Sequence, residues 1–403
     1  MRQLAVLSLH TSPLAQPGTG DGGGMNVYVR SLASALARAG VDCDVYTRAW
    51  RPGLAPVVSV EPGFRVHHVA AGPPAPVAVD QLGEVIDEFT GGVLRLLDRE
   101  GPPDLIHANY WLSGVSGHAL KHELSLPLVC TFHTLERVKA SVMSDIDYPR
   151  AQAEAEVIGC ADSIVASSVE ERHQLEHLYG AEGARIEVVP PGVDHELFSP
   201  GDRQEARLSL GLNDDPVLLF VGRIQHLKGV DVAIEALALG PPRARLVVVG
   251  GPSGPGGEAE LSRLRKLADE RGVGRRVLFV PPQPHGGLAA YYRAADVCVV
   301  PSRSESFGLV ALEAAACGTP VVASAVGGLR TLVEHGRTGF LVGGCDPEAF
   351  ADYVTELVDQ PDLAARMGSA AEGLSRRYSW SITAARLRRL CTDLTVRELV
   401  ECQ

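Results

Sequence analysis

Aromatic and basic residues are both scarce in this chain of 403 residues, and each shortage narrows what the protein can be. Aromatic side chains make up 5% of the sequence, against 45% for hydrophobic residues as a whole, so the predicted core is aliphatic. The formal net charge is −12, from 49 acidic and 37 basic residues. Because phosphate backbones attract basic surfaces, this balance argues against nucleic acid as the main partner. It is compatible with a local basic pocket for a small phosphate.

Several common motifs are also missing. The eight cysteines form no C-x-x-C pair and no zinc-like spacing, which favours a reducing cytoplasm. The opening "MRQLAVLSLHTS" has too short an apolar run for a signal peptide or a membrane span. No P-loop occurs, and the first predicted strand lacks the G-x-G-x-x-G turn of an NAD-dependent oxidoreductase. The sequence therefore predicts a soluble cytoplasmic protein without a membrane partner.

Short apolar runs rich in β-branched residues alternate with segments long enough for a helix. Their continuous apolarity is typical of strands buried on both faces of a parallel sheet, and βαβ units of this kind build doubly wound sheets. The predicted fold class is α/β, with two Rossmann-like doubly wound domains facing across a cleft. The predicted strands are 4–10, 42–48, 65–70, 105–109, 127–133, 162–167, 186–192, 216–223, 245–251, 276–282, 296–301, 319–324 and 339–342.

A chain of this length is expected to form more than one domain. The stretch 193–206 has neither the helical nor the strand period and carries Pro, Gly and charge, so we predict the linker there. This gives an N-terminal domain over 1–195 and a C-terminal domain over 196–380. The last helical stretch, 381–403, either continues the second domain or crosses back to the first.

The stretch "GTGDGGG" (18–24) is unusual because five of its seven residues are glycine. Glycine costs about 0.5–1 kcal/mol relative to alanine inside regular structure, so such a cluster suggests that the backbone must approach something closely. A flexible surface loop is the alternative interpretation.

Two motifs follow predicted strands, where doubly wound sheets bind their ligands. In "GRIQHLKG", Arg223 and Lys228 form a doubly basic loop that suits a diphosphate, although two ordinary surface cations would look the same. In "SRSESFGLVALEAAACGTPVVAS", Glu305 and Glu313 stand eight residues apart around a helix predicted to begin near Phe307. The N-terminal amides of such a helix bind anions, and a capped helix with two surface glutamates is the alternative.

Together these motifs resemble family 4 of the GT-B retaining glycosyltransferases over essentially the whole chain. The stretches "HTSPLAQPGTGDGGGMNVY", "IHANYWLSG", "FHTL" and "GGPSGP" are similar to the branch that acts on inositol phosphate in mycothiol biosynthesis. The resemblance implies transfer of GlcNAc from UDP-GlcNAc to a small polar acceptor of inositol-phosphate type. Two alternatives stay open. One is a paralogue with another nucleotide sugar, such as a GDP-linked one, and an unphosphorylated cyclitol, aminocyclitol or thiol acceptor. The other is a non-catalytic protein that binds sugar nucleotides.

The resemblance also implies roles for individual residues. The predicted catalytic residues are Arg223, Lys228, His133 and Glu305, of which the first two hold the diphosphate. The donor is expected to contact these and also Gln16, Pro17, Gly24, Gly308, Leu309, Val310 and Glu313. The acceptor is expected to be surrounded by His10, Asp21, Gly22, Gly23, Gly24, Met25, Asn26, Tyr110, Thr134 and Arg150.

The resemblance requires no metal or other cofactor for the reaction. The turns "YYRAAD" and "GTPV" match places where relatives hold a structural magnesium ion, and a homodimer is compatible with the family. Two positions depart from the family's pattern. Val79 stands where relatives have a phosphate-binding lysine, for which Lys139 can substitute, and Gln283 stands where relatives have an arginine.

Overall fold

The described chain falls into two units, each built on its own sheet. The structure is a computed structural model that describes residues 1–18, 20, 22–143, 145–254 and 256–402. The first unit holds Met1–Ala15, Met25–Gly192 and the chain from Trp380 onward, and the second holds Gln16–Gly24 and Val193–Ser379. The glycine-rich loop, predicted within the first domain, therefore packs with the second unit. The terminal helical segment lies with the first unit, which answers the question that the sequence left open.

Strands and helices alternate along both units. The strands are β1 (Gln3–Leu7), β2 (Asp42–Arg48), β3 (Val57–Glu61), β4 (Phe64–Val69), β5 (Leu105–Asn109), β6 (Leu128–Thr131), β7 (Ser163–Ala166), β8 (Ile186–Val188), β9 (Val217–Val221), β10 (Arg245–Val249), β11 (Val277–Val280), β12 (Val297–Val300), β13 (Val321–Ser324) and β14 (Gly339–Val342). The helices are α1 (Gly24–Arg38), α2 (Ile86–Glu100), α3 (Trp111–Leu124), α4 (Glu136–Met143), α5 (Tyr148–Cys160), α6 (Val169–Tyr179), α7 (Arg203–Ser209), α8 (Val230–Leu239), α9 (Gly257–Glu270), α10 (Leu288–Ala294), α11 (Leu309–Ala316), α12 (Leu329–Leu332), α13 (Pro347–Asp359), α14 (Pro361–Ser375) and α15 (Trp380–Leu394). Short 3-10 helices cover Val79–Val85, Gly183–Arg185, His226–Lys228, Gly274–Arg276 and His285–Gly287.

The sheet of the first unit has the strand order β3-β4-β2-β1-β5-β6-β7-β8. Its strands pair in parallel, except that β3 runs antiparallel to β4. Every residue of β5, β6 and β7 is buried, as expected for strands covered on both faces. The helices begin and end at residues suited to those positions: Ser168 caps α6 by accepting from Glu171 N, and Gly180 ends it in the left-handed conformation.

The sheet of the second unit is parallel throughout, in the order β11-β10-β9-β12-β13-β14. Alternate residues of its strands join different clusters. Leu218 and Phe220 of β9 belong to one buried cluster, whereas Val217 and Leu219 belong to the other. Because successive side chains of a strand point to opposite faces, the continuous apolar runs of the sequence fill two cores.

Each predicted apolar run overlaps a strand of the structure, and the α/β fold class is confirmed. The edge strand β3 was not predicted, and it makes the first sheet mixed rather than wholly parallel. The predicted linker 193–206 overlaps the first residues of α7. Among the described residues, no helix combines the length and the apolarity needed to cross a membrane.

Candidate active site

Two loops that follow neighbouring strands bring together Lys228 and Glu305. The strands β9 and β12 are adjacent in the second sheet, and the two residues lie in the segments that leave their carboxyl ends. The Lys228 ammonium lies 2.6 Å from Glu305 Oε2, and the Ser302 hydroxyl donates to the same oxygen at 3.4 Å. The two charged side chains are 27% and 18% exposed. A ligand arriving from solvent can therefore reach this ion pair.

The position of Glu305 depends on a glycine behind it. Gly327 has φ +46°, a conformation that L side chains rarely adopt, and a Cβ atom there would overlap the Glu305 carbonyl oxygen. The amide of Gly328 donates to that same oxygen at 3.3 Å. We did not single out Gly327 from the sequence. Its signal was the glycine pair shortly after a predicted strand.

Arg223 lies in the loop directly after β9, beside the end of β10. Its Nη1 atom is 3.4 Å from Ser253 Oγ, and Gln225 Nε2 donates to the same hydroxyl at 3.1 Å. Ser253 itself is 7% exposed. The guanidinium thus has a fixed neighbour on the same rim of the sheet as Lys228, which is the arrangement predicted for a diphosphate site.

The segment Gln16–Gly24 folds against the second unit. The Gly18 amide donates to the Gly22 carbonyl at 2.8 Å, which closes the loop on itself, and Gln16 Nε2 donates to the Pro282 carbonyl at 3.0 Å. A Cβ atom at Gly18 would lie 3.2 Å from Pro282 Cβ. Gln16, Gly18 and Gly22 thus make specific contacts, as expected for a backbone that approaches its neighbours closely.

The end of this loop explains why glycine is needed there. A Cβ atom at Gly23 would lie 3.1 Å from Arg223 Nε, and one at Gly24 would lie 3.5 Å from Leu309 Cδ1. The first of these distances is tighter than most side-chain contacts. The glycines let the backbone pass directly beside Arg223 and the start of α11.

The two units divide the residues that were predicted around the acceptor. Gly22, Gly23 and Gly24, the last of them predicted around the donor as well, lie in the second unit. Met25 and Asn26 lie in the first unit. Asp21, also predicted for the acceptor, falls outside the described residues.

Helix α11 begins at Leu309, two residues later than predicted from Phe307. Gly308 is its N-cap in a left-handed conformation, with φ +103°, and the Leu312 amide donates to the Gly308 carbonyl at 3.1 Å. The amides of Leu309 and Val310 are thus in the first turn, where helix geometry supplies no intrahelical carbonyl. Such a turn carries the positive end of the helix dipole and suits an anion.

Glu313 lies deeper in α11 and is 5% exposed. His285 Nε2 lies 2.7 Å from one of its oxygens, and the Tyr292 hydroxyl donates to the other at 2.7 Å. Burial, with Glu313 nearby, raises the pKa of Tyr292 well above its ordinary value. The carboxylate of Glu313, predicted to contact the donor, therefore also orders the rings of His285 and Tyr292, which the sequence did not single out.

In the first unit, four of the predicted acceptor residues lie together, with Arg150 and the ring of Tyr110 in contact. The rings of His10 and Tyr110 are 4.4 Å apart between centroids, and the Arg150 guanidinium carbon lies 5.1 Å from the Tyr110 centroid. Arg150 Nη2 donates to the Thr134 hydroxyl at 3.1 Å and to its carbonyl at 3.2 Å. Tyr110 has φ +74°, which turns the chain between β5 and α3.

The charge of Arg150 is shared with two buried carboxylates. Its Nε lies 2.8 Å from Glu154, and its Nη1 lies 3.1 Å from Glu136 Oε2. Lys139 Nζ is 3.7 Å from that same Glu136 oxygen and is 38% exposed. The cluster thus contains a second cation that solvent can reach. Its two positive and two negative side chains balance.

His133 is partly buried, immediately before Thr134 in the chain, and has φ +61°. Its Nε2 lies 2.9 Å from Asn109 Oδ1, an atom that only accepts, and its ring packs edge-on against Tyr28. Burial, together with the nearby rings of His107 and His10, lowers the pKa of His133 to about 3. The imidazole is therefore neutral near pH 7 and donates through Nε2.

Asn26 is predicted to touch the acceptor, yet it is 2% exposed. Its Nδ2 donates to Thr11 Oγ1 at 2.7 Å and to the Ser12 carbonyl at 2.6 Å. These bonds fix the segment that follows β1, which carries His10. The structure therefore shows Asn26 positioning that segment.

The two turns that resemble a magnesium site in relatives lie side by side. The Thr319 hydroxyl donates to the Tyr292 carbonyl at 2.7 Å, so a direct hydrogen bond joins them. Whether an ion binds there stays a prediction.

Comparison with known families matches both halves of the chain. Residues 22–197 match the family described as Glycosyltransferase Family 4, and residues 202–373 match the family described as Glycosyl transferases group 1. Proteins described as D-inositol 3-phosphate glycosyltransferase are similar over nearly the full length. The one from Xylanimonas cellulosilytica is 47% identical, covering 98% of this chain and 97% of the relative. The one from Actinosynnema mirum is 48% identical, covering 96% of each.

Solved structures show the same fold. Sucrose-phosphate synthase from Thermosynechococcus elongatus superposes with a TM-score of 0.93 at 35% identity, covering 98% of this chain and 99% of that one. Anabaena HepE in complex with UDP and glucose superposes with a TM-score of 0.80 at 21% identity, covering 98% and 100%.

A chain matched along both halves by these families is a nucleotide-sugar-dependent glycosyltransferase of the GT-B fold. It belongs to the family of the D-inositol 3-phosphate glycosyltransferases. The resemblance seen in the sequence is confirmed. The roles of individual residues remain predictions.

Proposed function

We propose that this enzyme transfers GlcNAc from UDP-GlcNAc to an inositol phosphate with retention of anomeric configuration. The observation that carries the acceptor is the pair of cations, Arg150 and Lys139, which share the Glu136 carboxylate. The names of the similar proteins support the same acceptor. GlcNAc and UDP rest on the resemblance of the N-terminal stretches.

The proposed roles of the donor-site residues follow from where negative charge develops during the reaction. As the bond between the anomeric carbon and the diphosphate breaks, negative charge accumulates on the leaving group. Arg223, Lys228 and the first turn of α11 are fixed in place before that charge appears, so they stabilise it without reorganisation. These groups are proposed to supply most of the catalysis.

The acceptor half needs only a proton transfer and a new bond. The acceptor oxygen attacks the anomeric carbon on the face that the diphosphate leaves, through an oxocarbenium-like state, and its proton passes to the departing phosphate. His133 is neutral near pH 7, and in this scheme it orients the sugar by a hydrogen bond. Glu305 is proposed to hold sugar hydroxyls, and the reaction requires no metal ion.

Val79 is the position that challenges a phosphorylated acceptor. It opens the 3-10 helix Val79–Val85 and packs against the core of the first unit, so it contributes no charge. A phosphate monoester carries about two negative charges near pH 7, and its site should offer several donors. Lys139, with the hydroxyls of Thr134 and Tyr110, is proposed to supply the positive charge and the hydrogen-bond donors that a lysine at position 79 would provide.

Steady-state kinetics with UDP-GlcNAc test this proposal. Wild type should use inositol 3-phosphate far better than inositol. Lys139→Ala should raise the KM for inositol 3-phosphate by about 10–100-fold, the loss expected for one charged hydrogen bond, with little change in kcat. Lys266→Ala, at a lysine that is 79% exposed, is the matched control.

The alternatives give different results in the same panel. A paralogue would prefer another nucleotide sugar and an uncharged acceptor, and Lys139→Ala would then leave the KM unchanged. A non-catalytic protein would bind UDP and release none from any donor. Activity on the phosphate that appears only with Val79→Lys would overturn the proposed role of Lys139.

A further inference from the structure

A cluster of two histidines and two cysteines lies in the first unit and takes no part in the proposed reaction. His118 and His122 stand four residues apart on α3, which places them on one face of the helix. Cys160 ends α5, and Cys402 lies near the end of the chain. One ligand atom from each residue lies within 4.8 Å of all the others. No spacing in the sequence indicates this cluster, because the two cysteines are 242 residues apart.

Other contacts bring the C-terminal tail to this cluster. The buried Lys121 ammonium donates to the carbonyl of Cys160 at 2.7 Å and to that of Val400 at 3.0 Å. Asp162 lies 2.9 Å from the same ammonium and accepts from the Val400 amide at 2.6 Å. The path of the tail is thus fixed by its backbone, independently of the four side chains.

The sulfur–nitrogen distances of the cluster fit a metal ion. His122 Nε2 lies 3.0 Å from Cys402 Sγ and 3.4 Å from Cys160 Sγ, and His118 Nε2 lies 3.6 Å from Cys402 Sγ. In a tetrahedral zinc site, Zn–S and Zn–N bonds of ordinary length separate sulfur from nitrogen by about 3.5 Å. Two thiolates and two imidazoles are also the ligand set of many structural zinc sites.

We propose that His118, His122, Cys160 and Cys402 bind one Zn²⁺ ion that fastens the C-terminal tail to α3 and α5. Binding releases the two thiol protons, and the two thiolates neutralise the ion's charge. The competing arrangement is a disulfide, because the two sulfur atoms also lie within covalent-bond distance of each other. A disulfide leaves the convergence of two imidazoles on the sulfurs unexplained, whereas a zinc ion uses all four.

The test measures metal content in the full-length protein, purified with a phosphine reductant and without added metal. Wild type should hold about one zinc per chain, and His122→Ala and Cys402→Ser should each hold less than about a tenth of that. Cys345→Ser is the control, because this free cysteine lies in the second unit. His122→Ala separates the two arrangements, since it removes a zinc ligand but leaves a disulfide possible.

A measurement on the wild type avoids variants that fail to fold. After removal of zinc, addition of Co²⁺ should give thiolate-to-cobalt charge-transfer bands and the d–d bands of tetrahedral coordination. Proteolysis should release the tail from the zinc-free protein, and added Zn²⁺ should protect it again. A wild type without zinc that shows none of these bands would overturn the proposal. So would non-reducing peptide mapping that finds Cys160 joined to Cys402 in the protein as isolated.

Discussion

Lys228→Ala is the sharpest test of the donor site, because the structure shows what this change removes and what it leaves behind. It removes an ammonium 2.6 Å from Glu305 and leaves that carboxylate beside the proposed diphosphate position. Loss of one charged hydrogen bond costs about 1.5–3 kcal/mol. We therefore expect the Kd for UDP to rise by about 10–100-fold. The kcat should fall by about 10²–10³, because the charge on the leaving group is largest in the transition state.

A second substitution distinguishes two effects of Lys228→Ala on UDP affinity: the loss of the cation, and the repulsion from the Glu305 carboxylate that is left unpaired. Two like charges about 4 Å apart repel by about 1 kcal/mol in water and by about 4 kcal/mol at the dielectric typical of a protein surface. The partial exposure of Glu305 places its repulsion toward the lower value. Glu305→Gln in the Lys228→Ala background should thus recover about tenfold in UDP affinity. UDP is the right ligand here, because it lacks the sugar that Glu305 is proposed to hold.

Isothermal titration calorimetry with UDP measures these affinities, with Lys266→Ala as the surface control. Each variant should unfold near the wild-type temperature, since a partly exposed ion pair contributes little stability. A Kd for UDP within twofold of wild type in Lys228→Ala would refute the assignment of this loop to the diphosphate. It would leave the membership of the family untouched.

Two further predictions concern a glycine and a buried histidine. Gly327→Ala should displace Glu305 and lower kcat/KM by at least about tenfold. Gly336→Ala is the control, because Gly336 has φ +76° but open space around it, so this change adds only backbone strain. An equal fall in kcat/KM in both variants would contradict this prediction. Burial lowers the pKa of His107 to about 4 in the folded protein. As the pH falls below about 6.5, the His107 side chain is therefore protonated in the unfolded chain before it is protonated in the folded one. Its share of stability is therefore present at pH 7 and decreases by about 2 kcal/mol by pH 5. His107→Gln should flatten that dependence in urea unfolding, and an unchanged slope would contradict the assignment.

The sequence predicted most of the sheet strands because their burial on both faces leaves a continuous apolar run. Strand β3 was not predicted because it is an edge strand of five residues, "VVSVE", none of which is buried. Such a strand shows neither the continuous run of a central strand nor a strong alternation. β3 also pairs antiparallel with β4 across a short local turn, whereas the predicted strands are those of βαβ units, which pair in parallel.

A contact between candidate site residues can be predicted where it follows from the sheet order, and not where distant segments meet. The pairing of Lys228 with Glu305 follows from adjacent strands, which a predicted sheet order can supply. The packing of Gly23 against Arg223 joins residues 200 positions apart, and no local pattern encodes it. For the same reason, no local pattern predicts that Cys402 lies beside α3, where Lys121 and Asp162 bind the backbone of the tail at Val400.

Each unit contains a cation that is proposed to bind phosphate and that is held by carboxylate before any ligand arrives. Lys228 is paired with Glu305, and Arg150 is paired with Glu136 and Glu154. These pairs fix the cations in position, which favours catalysis, but an anion must compete with a carboxylate for each of them. The competition is weakest where the ligand also satisfies the displaced carboxylate. A complete nucleotide sugar offers phosphate to Lys228 and hydroxyls to Glu305, whereas UDP offers phosphate alone. The ion pair therefore favours the intact donor over the product, and Glu305→Gln should bind UDP more tightly than wild type.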